Sequence, residues 1–384
     1  MPLFDPTWTI LAAAGAAIWL AILLLPWQPW RVRENLDADP SLAHGEADLS
    51  DVTVLIPARN EADVICKTIA ALAEQGTGLS VIVTDDQSDD GTADAARGAA
   101  AGTGLSLVVV EGGPLPEGWA GKMWALEQAR GRVTTPLILL LDADIELAPG
   151  TLATLKMCRL REGTRFLSLM ARLRMENGWE KLLMPAFVFF FKLLYPFHLS
   201  NNQHPMVAAA AGGCVLTDAD LLEKVGGFGA IRDAIIDDCA LAREARRAGG
   251  RTWVGLTHSV LSTRPYGGLG SVWNMVARSA FTQLRYSALL LLLCTLVFAL
   301  ACWMPVVSIF AAPDLVAKAI GGLTIVAMMG VYGPTLAYYG RAPLWAATMP
   351  VIGSLYLAMT WSSALRYWAG ARSQWKGRIY SRSG

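Results

Sequence analysis

Apolar and charged positions are separated into long blocks along this 384-residue chain. Four runs lack Asp, Glu, Lys and Arg entirely: residues 6–30, 286–313, 319–340 and 342–365. Each run exceeds the roughly 20 apolar residues that a bilayer-spanning helix needs. The pattern therefore predicts a transmembrane anchor over residues 7–29 and further transmembrane helices within residues 287–368.

The polar residues around these runs bear on orientation. A cleavable signal peptide would carry basic residues before its apolar segment. No Lys or Arg precedes the first run, so we expect an uncleaved anchor. Arg31 and Arg33 follow it, and the positive-inside rule places the next segment in the cytoplasm. The basic tail over residues 369–384 favours the same side, although three full C-terminal spans would place it outside. A re-entrant or interfacial run would remove this conflict, and the sequence leaves open which run that is.

Residues 30–50 are predicted to form a polar linker, and a different pattern follows over residues 51–286. Short β-branched segments alternate with helical ones: strands are predicted at 52–56, 80–84, 105–110 and 136–141, and helices at 61–74, 91–101 and 122–130. This alternation predicts an α/β domain with a mostly parallel sheet. Such sheets bind ligands beyond the carboxyl ends of their strands, which is where acidic clusters fall in this chain.

Residues 180–195 depart from this pattern. Ten uncharged residues, rich in Phe, separate Lys181 from Lys192, which is too short a segment to cross a bilayer. We predict a helix at the membrane interface, with a buried core helix as the alternative.

Composition excludes several classes of function. Hydrophobic residues make up 54% of the chain, and the 32 basic and 32 acidic residues balance, which gives no indication of a nucleic-acid partner. The six cysteines form no CxxC pair, and neither they nor the four histidines have zinc-site spacing. We expect free thiols in a reducing compartment.

The first acidic constellation combines the segments that follow two predicted strands. Pro57-Ala58-Arg59-Asn60-Glu61 follows the first strand, and Asp85-Asp86-Gln87-Ser88-Asp89-Asp90-Gly91-Thr92 follows the second. A carboxylate here could accept the imide N–H of a uracil base, whereas Ser88 and Asp90 could form the turn that opens the next helix. A polar capping loop remains the alternative.

Two further clusters carry carboxylates in arrangements that suit chemistry. Asp142 and Asp144 follow an apolar strand and offer hard oxygen ligands for Mg²⁺ or Mn²⁺, which would in turn bind a diphosphate. Asp237 and Asp238 open an apparent helix, where one of them could take a proton from an attacking hydroxyl. Each cluster alone could equally be a strand-end turn or a helix cap.

Taken together, PARNE, DDQSDDGT, GWAGK, LLDAD and DDCAL resemble the motifs of family 2 glycosyltransferases. The likeness covers about residues 52–286 and continues through GGCVL and VGGF. Together with the WKGRIY tail, it is most similar to the ceramide-glucosyltransferase-like branch and, within it, to bacterial hopene-associated glycosyltransferases. The resemblance implies a GT-A (nucleotide-diphospho-sugar transferase) Rossmann-like fold, flanked by N- and C-terminal transmembrane helices in a bacterial inner membrane.

The resemblance also implies roles for individual residues. Pro57, Arg59, Glu61 and Asp86 would form the nucleoside pocket, with Asp86 at the uracil. Lys122 would touch the nucleotide or its phosphates, Asp142 and Asp144 would hold a divalent ion and the diphosphate, and Asp238 would be the catalytic base. Asp237, Gln283 and Arg285 are acceptor-side candidates.

One position departs from the family pattern. Many membrane relatives carry Gln three residues before an Arg-Trp pair, whereas here Thr282 precedes Arg285 at that distance and Tyr286 replaces Trp. This departure disfavours a processive polysaccharide synthase. From the resemblance as a whole we expect an inverting transferase that moves a sugar from a UDP-sugar to a lipid, such as a hopanoid. A polyprenyl-phosphate or polysaccharide transferase is the first alternative, and a non-enzymatic membrane scaffold is the second.

Overall fold

A computed structural model describes residues 5–42, 47–370, 374–375 and 378–379. The chain divides into two compact units. The helical unit comprises Met1–Arg33, Met175–His198 and Tyr266–Ala371, and the sheet unit comprises Glu34–Arg174, Leu199–Pro265 and Arg372–Gly384.

Eight strands form the main sheet. They are β1 Val52–Ala58, β2 Ser80–Asp85, β3 Ser106–Glu111, β4 Leu137–Leu141, β5 Ile145–Leu147, β6 Phe166–Arg172, β7 Cys214–Asp218 and β8 Thr252–Ser262. Their spatial order is β3-β2-β1-β4-β7-β6-β8-β5. A separate pair, β9 Gln374–Trp375 and β10 Arg378–Ile379, is antiparallel.

The main sheet is mixed. β3, β2, β1 and β4 are parallel neighbours, as the βα alternation predicts. Beyond β4 the pairings β4·β7, β7·β6 and β8·β5 are antiparallel, and β6·β8 is parallel. The prediction of an α/β domain is confirmed, and four of the seven strand pairings in its sheet are parallel.

The α-helices are, in chain order, α1 Pro6–Leu24, α2 Ala62–Ala73, α3 Thr92–Ala100, α4 Gly121–Arg130, α5 Thr151–Glu162, α6 Gly178–Leu194, α7 Phe197–Asn201, α8 Ala219–Val225, α9 Asp237–Arg247, α10 Leu269–Ala277, α11 Ala280–Gln283, α12 Ala288–Phe298, α13 Met304–Ala311, α14 Leu315–Tyr338 and α15 Met349–Trp368. A π-helical turn, Ala299–Trp303, joins α12 to α13, and a 3₁₀ segment, Pro343–Thr348, precedes α15.

Helices cover both faces of the sheet. Because successive side chains of a strand point to opposite faces, β1 contributes to two buried clusters. Val54 and Ile56 of β1 belong to one buried cluster with Ile65 and Ile69 of α2. Leu55, between them, belongs to a second cluster with residues of α4 and α9. β1 is thus buried along its whole length between these two layers.

Among the described residues of the helical unit, four helices are long and apolar enough to cross a membrane. They are Pro6–Leu24, Ala288–Ala311, Leu315–Tyr338 and Pro343–Trp368, with mean hydropathies of 2.0, 2.5, 1.7 and 1.2. This confirms, by length and composition, the predicted transmembrane helices near both ends of the chain.

The apolar helices pack closely. A Cβ atom at Gly15 of α1 would lie 2.5 Å from the carbonyl oxygen of Leu300, so only glycine allows this approach. Trp19 donates from its indole N–H to the carbonyl oxygen of Ala301 at 2.7 Å. That contact falls within the π-helical turn, a local departure from α-helical geometry.

Helix α6 begins with a capping box and lies among the apolar helices. Asn177 accepts from the N–H of Glu180, while the Glu180 carboxylate accepts from the N–H of Asn177. Phe189 packs on Tyr332 of α14, and the buried ammonium of Lys192 donates to the carbonyl oxygen of Arg31. These contacts favour the buried alternative for this part of the segment, and its location at a membrane interface remains a prediction.

Candidate active site

The predicted acidic clusters of the sheet unit follow strands that lie side by side. Pro57 of β1 pairs with Thr84 of β2, and Ala58 pairs with Asp85. Asp142 directly follows β4, the other neighbour of β1. Because these strands are parallel, the three polar loops emerge at the same edge of the sheet.

The two loops of the first constellation are tied together by hydrogen bonds. Arg59 donates to the carbonyl oxygens of Asp86 and Gln87. Glu61 donates its backbone N–H to the hydroxyl of Thr92 at 2.9 Å, and Ala62 donates to the Asp90 carboxylate at 3.0 Å. Asp90 also accepts from the N–H of Thr92 at 3.0 Å, so Asp90 contributes to the turn at the start of α3, whereas Ser88 bonds to Asp85.

Asp86 is fully buried beside a close backbone crossing. The N–H of Gly112, after β3, donates to the carbonyl oxygen of Asp85 at 2.8 Å. A Cβ atom on Gly112 would lie 2.8 Å from that oxygen and 3.1 Å from the Cα of Asp86, so a larger residue would displace the loop. The position of Asp86 therefore depends on Gly112.

Lys122 brings the second and third acidic clusters together. Its ammonium lies 2.8 Å from Oδ1 of Asp142 and 3.3 Å from Oδ2 of Asp237. Burial by itself would lower the pKa of Lys122, but the two carboxylates outweigh that effect and raise the pKa above its ordinary value. Lys122 is therefore a permanent cation between two clusters that lie far apart in the sequence.

Asp238 is held by two backbone donors at the start of α9. Its Oδ2 accepts from the N–H of Gly212 at 3.0 Å, and its Oδ1 accepts from the N–H of Cys239 at 2.7 Å. A Cβ atom at Gly212 would lie 3.4 Å from both the Cβ of Asp238 and the ammonium of Lys122, so Gly212 is a close neighbour of both charged groups. The carboxylate is thereby fixed in position.

The same surroundings tune the acidity of Asp238. Burial, followed by the negative charge of Asp237, raises the pKa of Asp238 to about 7, against the opposing effects of Lys122 and the two N–H donors. A carboxylate with a pKa near neutrality accepts a proton more readily than an ordinary aspartate does, which suits a general base. A cavity of about 20 Å³ borders Asp238, Asp237, Lys122 and Asp142, enough for about one water.

Asp144 has a different environment from Asp142. Its Oδ2 accepts from the hydroxyl of Ser262 at 2.8 Å and lies 3.3 Å from Nε of Arg264. The guanidinium of Arg264 also reaches Oε1 of Glu61 at 2.7 Å. Burial acts to lower the pKa of Arg264, but Asp144 and Glu61 outweigh it and raise the pKa. Arg264 thus joins the loop after β1 to the loop after β4.

The predicted divalent-ion site can be compared with these contacts. Among the described residues, no group of three or more His, Cys, Asp or Glu side chains is arranged to hold a metal. Mg²⁺ needs only one or two carboxylates when substrate phosphates and water complete its shell. Asp142 is one-third exposed, and both side-chain contacts described for Asp144 are made to one oxygen, so the pair fits such a partial ligand set.

Gln283 and Arg285 lie in the helical unit. Gln283, at the end of α11, accepts from the hydroxyl of Tyr195 at 2.6 Å. Arg285 and Tyr286 have φ values of 51° and 56°, in the left-handed region that such side chains seldom adopt. Their predicted role at the acceptor remains a prediction.

Two residues of this site were missed by the sequence analysis. Ser262 ends the long strand β8 and Arg264 follows it, and the pairing of β8 with β5 aligns Ser262 with Ile145, next to Asp144. A basic residue just after a strand is a weak signal by itself. Only the antiparallel register between distant segments brings Arg264 to Asp144.

Comparison with known proteins identifies the family. Residues 50–281 match the sequence profile described as "Glycosyltransferase like family 2". That match covers more than half of the chain. The chain belongs to this family.

Individual relatives match this family 2 chain over shorter segments. It is 32% identical over 96 residues to the 4,4'-diaponeurosporenoate glycosyltransferase of Staphylococcus haemolyticus, which is 25% of this chain and 24% of that protein. It is 36% identical over 107 residues to the succinoglycan biosynthesis protein ExoU of Rhizobium meliloti, which is 28% of this chain and 30% of that protein. The alignments thus span less than a third of either curated relative.

A solved structure extends the likeness of fold. The mannosyltransferase PcManGT from Pyrobaculum calidifontis, in complex with GDP-Man and Mn²⁺, aligns over 93% of this chain and 99% of its own. The TM-score is 0.52 at 20% sequence identity, which shows the GT-A fold alone. The finer resemblance to hopene-associated proteins remains a prediction.

Proposed function

We propose that this family 2 protein transfers a sugar, with inversion at the anomeric carbon, from a UDP-sugar to the hydroxyl of a membrane lipid. The observation that carries the proposal is the position of Asp238, a carboxylate with a pKa of about 7 next to the Lys122–Asp142 pair. A proton acceptor and a diphosphate-binding group are the two elements that such a transfer needs in one place.

The donor would occupy the edge of the sheet where the polar loops meet. In the proposal, Asp86 accepts the imide N–H of uracil, and Pro57, Arg59 and Glu61 complete the nucleoside pocket. The bonds from Arg59 to the loop after β2 support this assignment, because they fix the pocket before the donor binds. Such preorganisation lowers the entropic cost of binding.

The diphosphate would lie at Asp142, Asp144 and Lys122. Mg²⁺ or Mn²⁺ held by the two aspartates would bind the diphosphate and offset the charge of the departing nucleoside diphosphate. The ammonium of Lys122 would exchange its contact with Asp142 for a phosphate oxygen.

Asp238 would act on the acceptor. In the proposed step, its carboxylate takes the proton of the acceptor hydroxyl as that oxygen attacks the anomeric carbon from the face opposite the diphosphate. The bond to the diphosphate breaks as the new glycosidic bond forms, which inverts the configuration. The backbone donors Gly212 and Cys239 hold the base in position throughout.

The lipid acceptor is supported by the membrane character of the helical unit. Four helices long and apolar enough to span a bilayer would keep the enzyme beside lipid-soluble substrates. The partial match to a diaponeurosporenoate glycosyltransferase favours a lipid, whereas the partial match to a succinoglycan biosynthesis protein favours a polysaccharide precursor. A hopanoid is one candidate lipid.

The product distinguishes these possibilities. Membranes containing the protein would be incubated with labelled UDP-sugars and Mn²⁺, and the organic extract and the polymer fraction would be separated. We expect label in a lipid-soluble glycoside. Label in polymer would favour the polysaccharide alternative, and no transfer from any UDP-sugar would contradict the proposal.

We further propose that the sheet unit faces the cytoplasm of a bacterial cell and that residues 339–368 enter and leave the bilayer on the same side. Trp303 donates to Ser354 and Trp361 donates to Thr295, so α15 runs antiparallel to α12 and α13. Extended to the start of α15, this register puts Met349 level with Ser308. Gly321 of α14 packs against Pro305 and Ser308, a register that puts Tyr338 level with Leu290.

The chain between Tyr338 and Met349 therefore climbs back through the bundle. Leu290 and Ser308 are separated by about 27 Å of helix. The start of α12 and the ends of α14 and α15 then lie at one end of the bundle. Ala12 of α1 packs near Ala312 while Trp19 reaches Ala301, which brings the Leu24 end of α1 to that same end.

This topology would put Arg31, Arg33 and the basic tail on one side, as the positive-inside rule requires. Reporter fusions test it. A fusion after Trp368 is expected to report the cytoplasm, and one at the α13–α14 turn, residues 312–314, the opposite side. A tail reporter on the outer side would contradict the re-entrant segment.

A further inference from the structure

The helical unit contains a groove of about 650 Å³ between α12 and α15. One wall is formed by Thr295, Phe298 and Trp303, and the other by Leu357, Trp361 and Leu365. This volume is within the range of about 300–1,000 Å³ that small-molecule sites occupy.

Apart from Ser362 and Arg366, the groove is lined by apolar side chains and by two pairs of side chains whose polar atoms bond to each other. The indole N–H of Trp303 donates to Ser354 at 2.8 Å, and that of Trp361 donates to Thr295 at 3.0 Å. Because these polar atoms are engaged with each other, the groove offers ring faces and aliphatic carbon to an occupant. Such a surface favours hydrocarbon over water.

One end of the groove is charged. Arg366, in the last turn of α15, lines the groove and donates to Oδ1 of Asn274 at 2.8 Å. Its guanidinium is exposed and has further donors for an oxygen of a bound molecule. From Ser354 to Arg366 the groove wall measures about 18 Å of helix.

We propose that this groove binds the hydrocarbon body of the lipid acceptor, with the oxygen-bearing head of that lipid at Arg366. The inference rests on the proposed function for the identity of the lipid as acceptor. Its walls lie on two candidate membrane spans, which would place the groove at the depth of the bilayer hydrocarbon, and its charged end matches a molecule that is polar at one end only.

The test fills the groove with a larger side chain. Ala299 and Ala358 are exposed small residues that line it, and Ala299→Trp or Ala358→Trp would occupy the space of the lipid. Ala17→Trp is the matched control, because Ala17 is an exposed alanine on α1, outside the groove lining. Each full-length variant is purified in mild detergent with its thermal unfolding recorded.

Two measurements separate the possible outcomes. The first is the KM for the lipid acceptor from an active membrane extract, with UDP affinity as a check on the sheet unit. We expect the groove variants to raise the acceptor KM by at least about tenfold, with UDP affinity unchanged and the Ala17 variant like the wild type. The second is the lipid that remains bound, measured by native mass spectrometry, which needs no catalysis.

An unchanged acceptor KM in an active wild-type background would overturn the groove assignment while leaving the proposed function intact. If the wild-type protein glycosylates no lipid, the proposed function fails, and the bound lipid still tests the groove. Equal loss of lipid from the groove and control variants would show bulk bilayer contact only. If the wild type is a dimer and the groove variants are monomers, the groove binds a second copy of the chain and the lipid assignment is overturned.

Discussion

The ammonium of Lys122 lies 2.8 Å from Asp142 and 3.3 Å from Asp237, and it thereby joins the loop after β4 to the start of α9. Replacing Lys122 with Met would remove the positive charge that we assign to the diphosphate. We expect turnover to fall by roughly 10²–10³-fold, a loss typical of removing one transition-state donor. UDP affinity should weaken in the same variant.

Lys156→Met is the matched control for this prediction. Lys156 also forms an ion pair, at 2.6 Å from Asp51, but it is absent from the active-site contacts. It should retain near-normal turnover and UDP affinity. Equal activity of the two variants would contradict the role given to Lys122.

The acid limb of the pH profile should report Asp238. Because the base acts only when deprotonated, kcat/KM should rise with pH through an apparent pKa near 7. Burial and the charge of Asp237 both raise this pKa, so Asp237→Asn should move the limb to lower pH. The measurement is kcat/KM against pH for both proteins. If the acid limb of Asp237→Asn stays at the pH of the wild type, the limb does not report the titration of Asp238.

Arg264 is expected to contribute to stability as well as to the site. Arg264→Met leaves the largely buried carboxylates of Glu61 and Asp144 without their shared cation, which should cost about 2 kcal/mol of unfolding free energy. Arg264→Lys keeps the charge but cannot bridge both partners in the same way, so it should recover only part of that loss.

Thermal unfolding in detergent checks this prediction, with the double variant Arg264→Met, Asp144→Asn as the internal test. Removing the orphaned charge should restore part of the stability. If the single Met variant unfolds like the wild type, the ion pairs contribute little.

The ion pairs of Lys122 and of Arg264 show how far the sequence could predict the fold. The alternation over residues 51–141 predicted β1 to β4, because each strand and helix has its own local hydrophobic period. The same locality placed Asp142 and Asp237 in separate clusters. Lys122, between them in space, was assigned to the nucleotide by resemblance, and its bridging position became visible only in the structure.

The contacts that the sequence could not predict depend on the register between distant segments of the chain. Arg264 meets Asp144 because β8 pairs antiparallel with β5, and no local pattern encodes that pairing. The two backbone donors to Asp238 include Gly212, whose position depends on the loop before β7. For α6, the sequence showed an aromatic segment between two lysines but not the Tyr332 ring that buries Phe189.

The divalent ion gives a prediction that separates the two aspartates. EDTA should abolish transfer, and Mn²⁺ or Mg²⁺ should restore it, because the diphosphate carries the charge that the ion offsets. Asp142→Asn should weaken Mn²⁺-dependent UDP binding with little loss of stability. Asp144→Asn should also lower the unfolding temperature, since Asp144 bonds to Ser262 and Arg264. Full activity in excess EDTA would contradict a metal-dependent mechanism.

The central claim is that Asp238, rather than its neighbour Asp237, takes the acceptor proton. Asp238→Asn keeps the shape of the side chain but cannot accept a proton at neutral pH, so turnover should fall by on the order of 10²–10⁴-fold or more. The most direct measurement is turnover with labelled UDP-sugar and lipid acceptor, beside UDP-sugar affinity by calorimetry, for Asp238→Asn and Asp237→Asn. We predict near-normal donor affinity in both variants, almost no turnover for Asp238→Asn and residual turnover for Asp237→Asn. An active Asp238→Asn protein with an inactive Asp237→Asn protein would contradict the assignment, and full activity of both would show that the pair only caps α9.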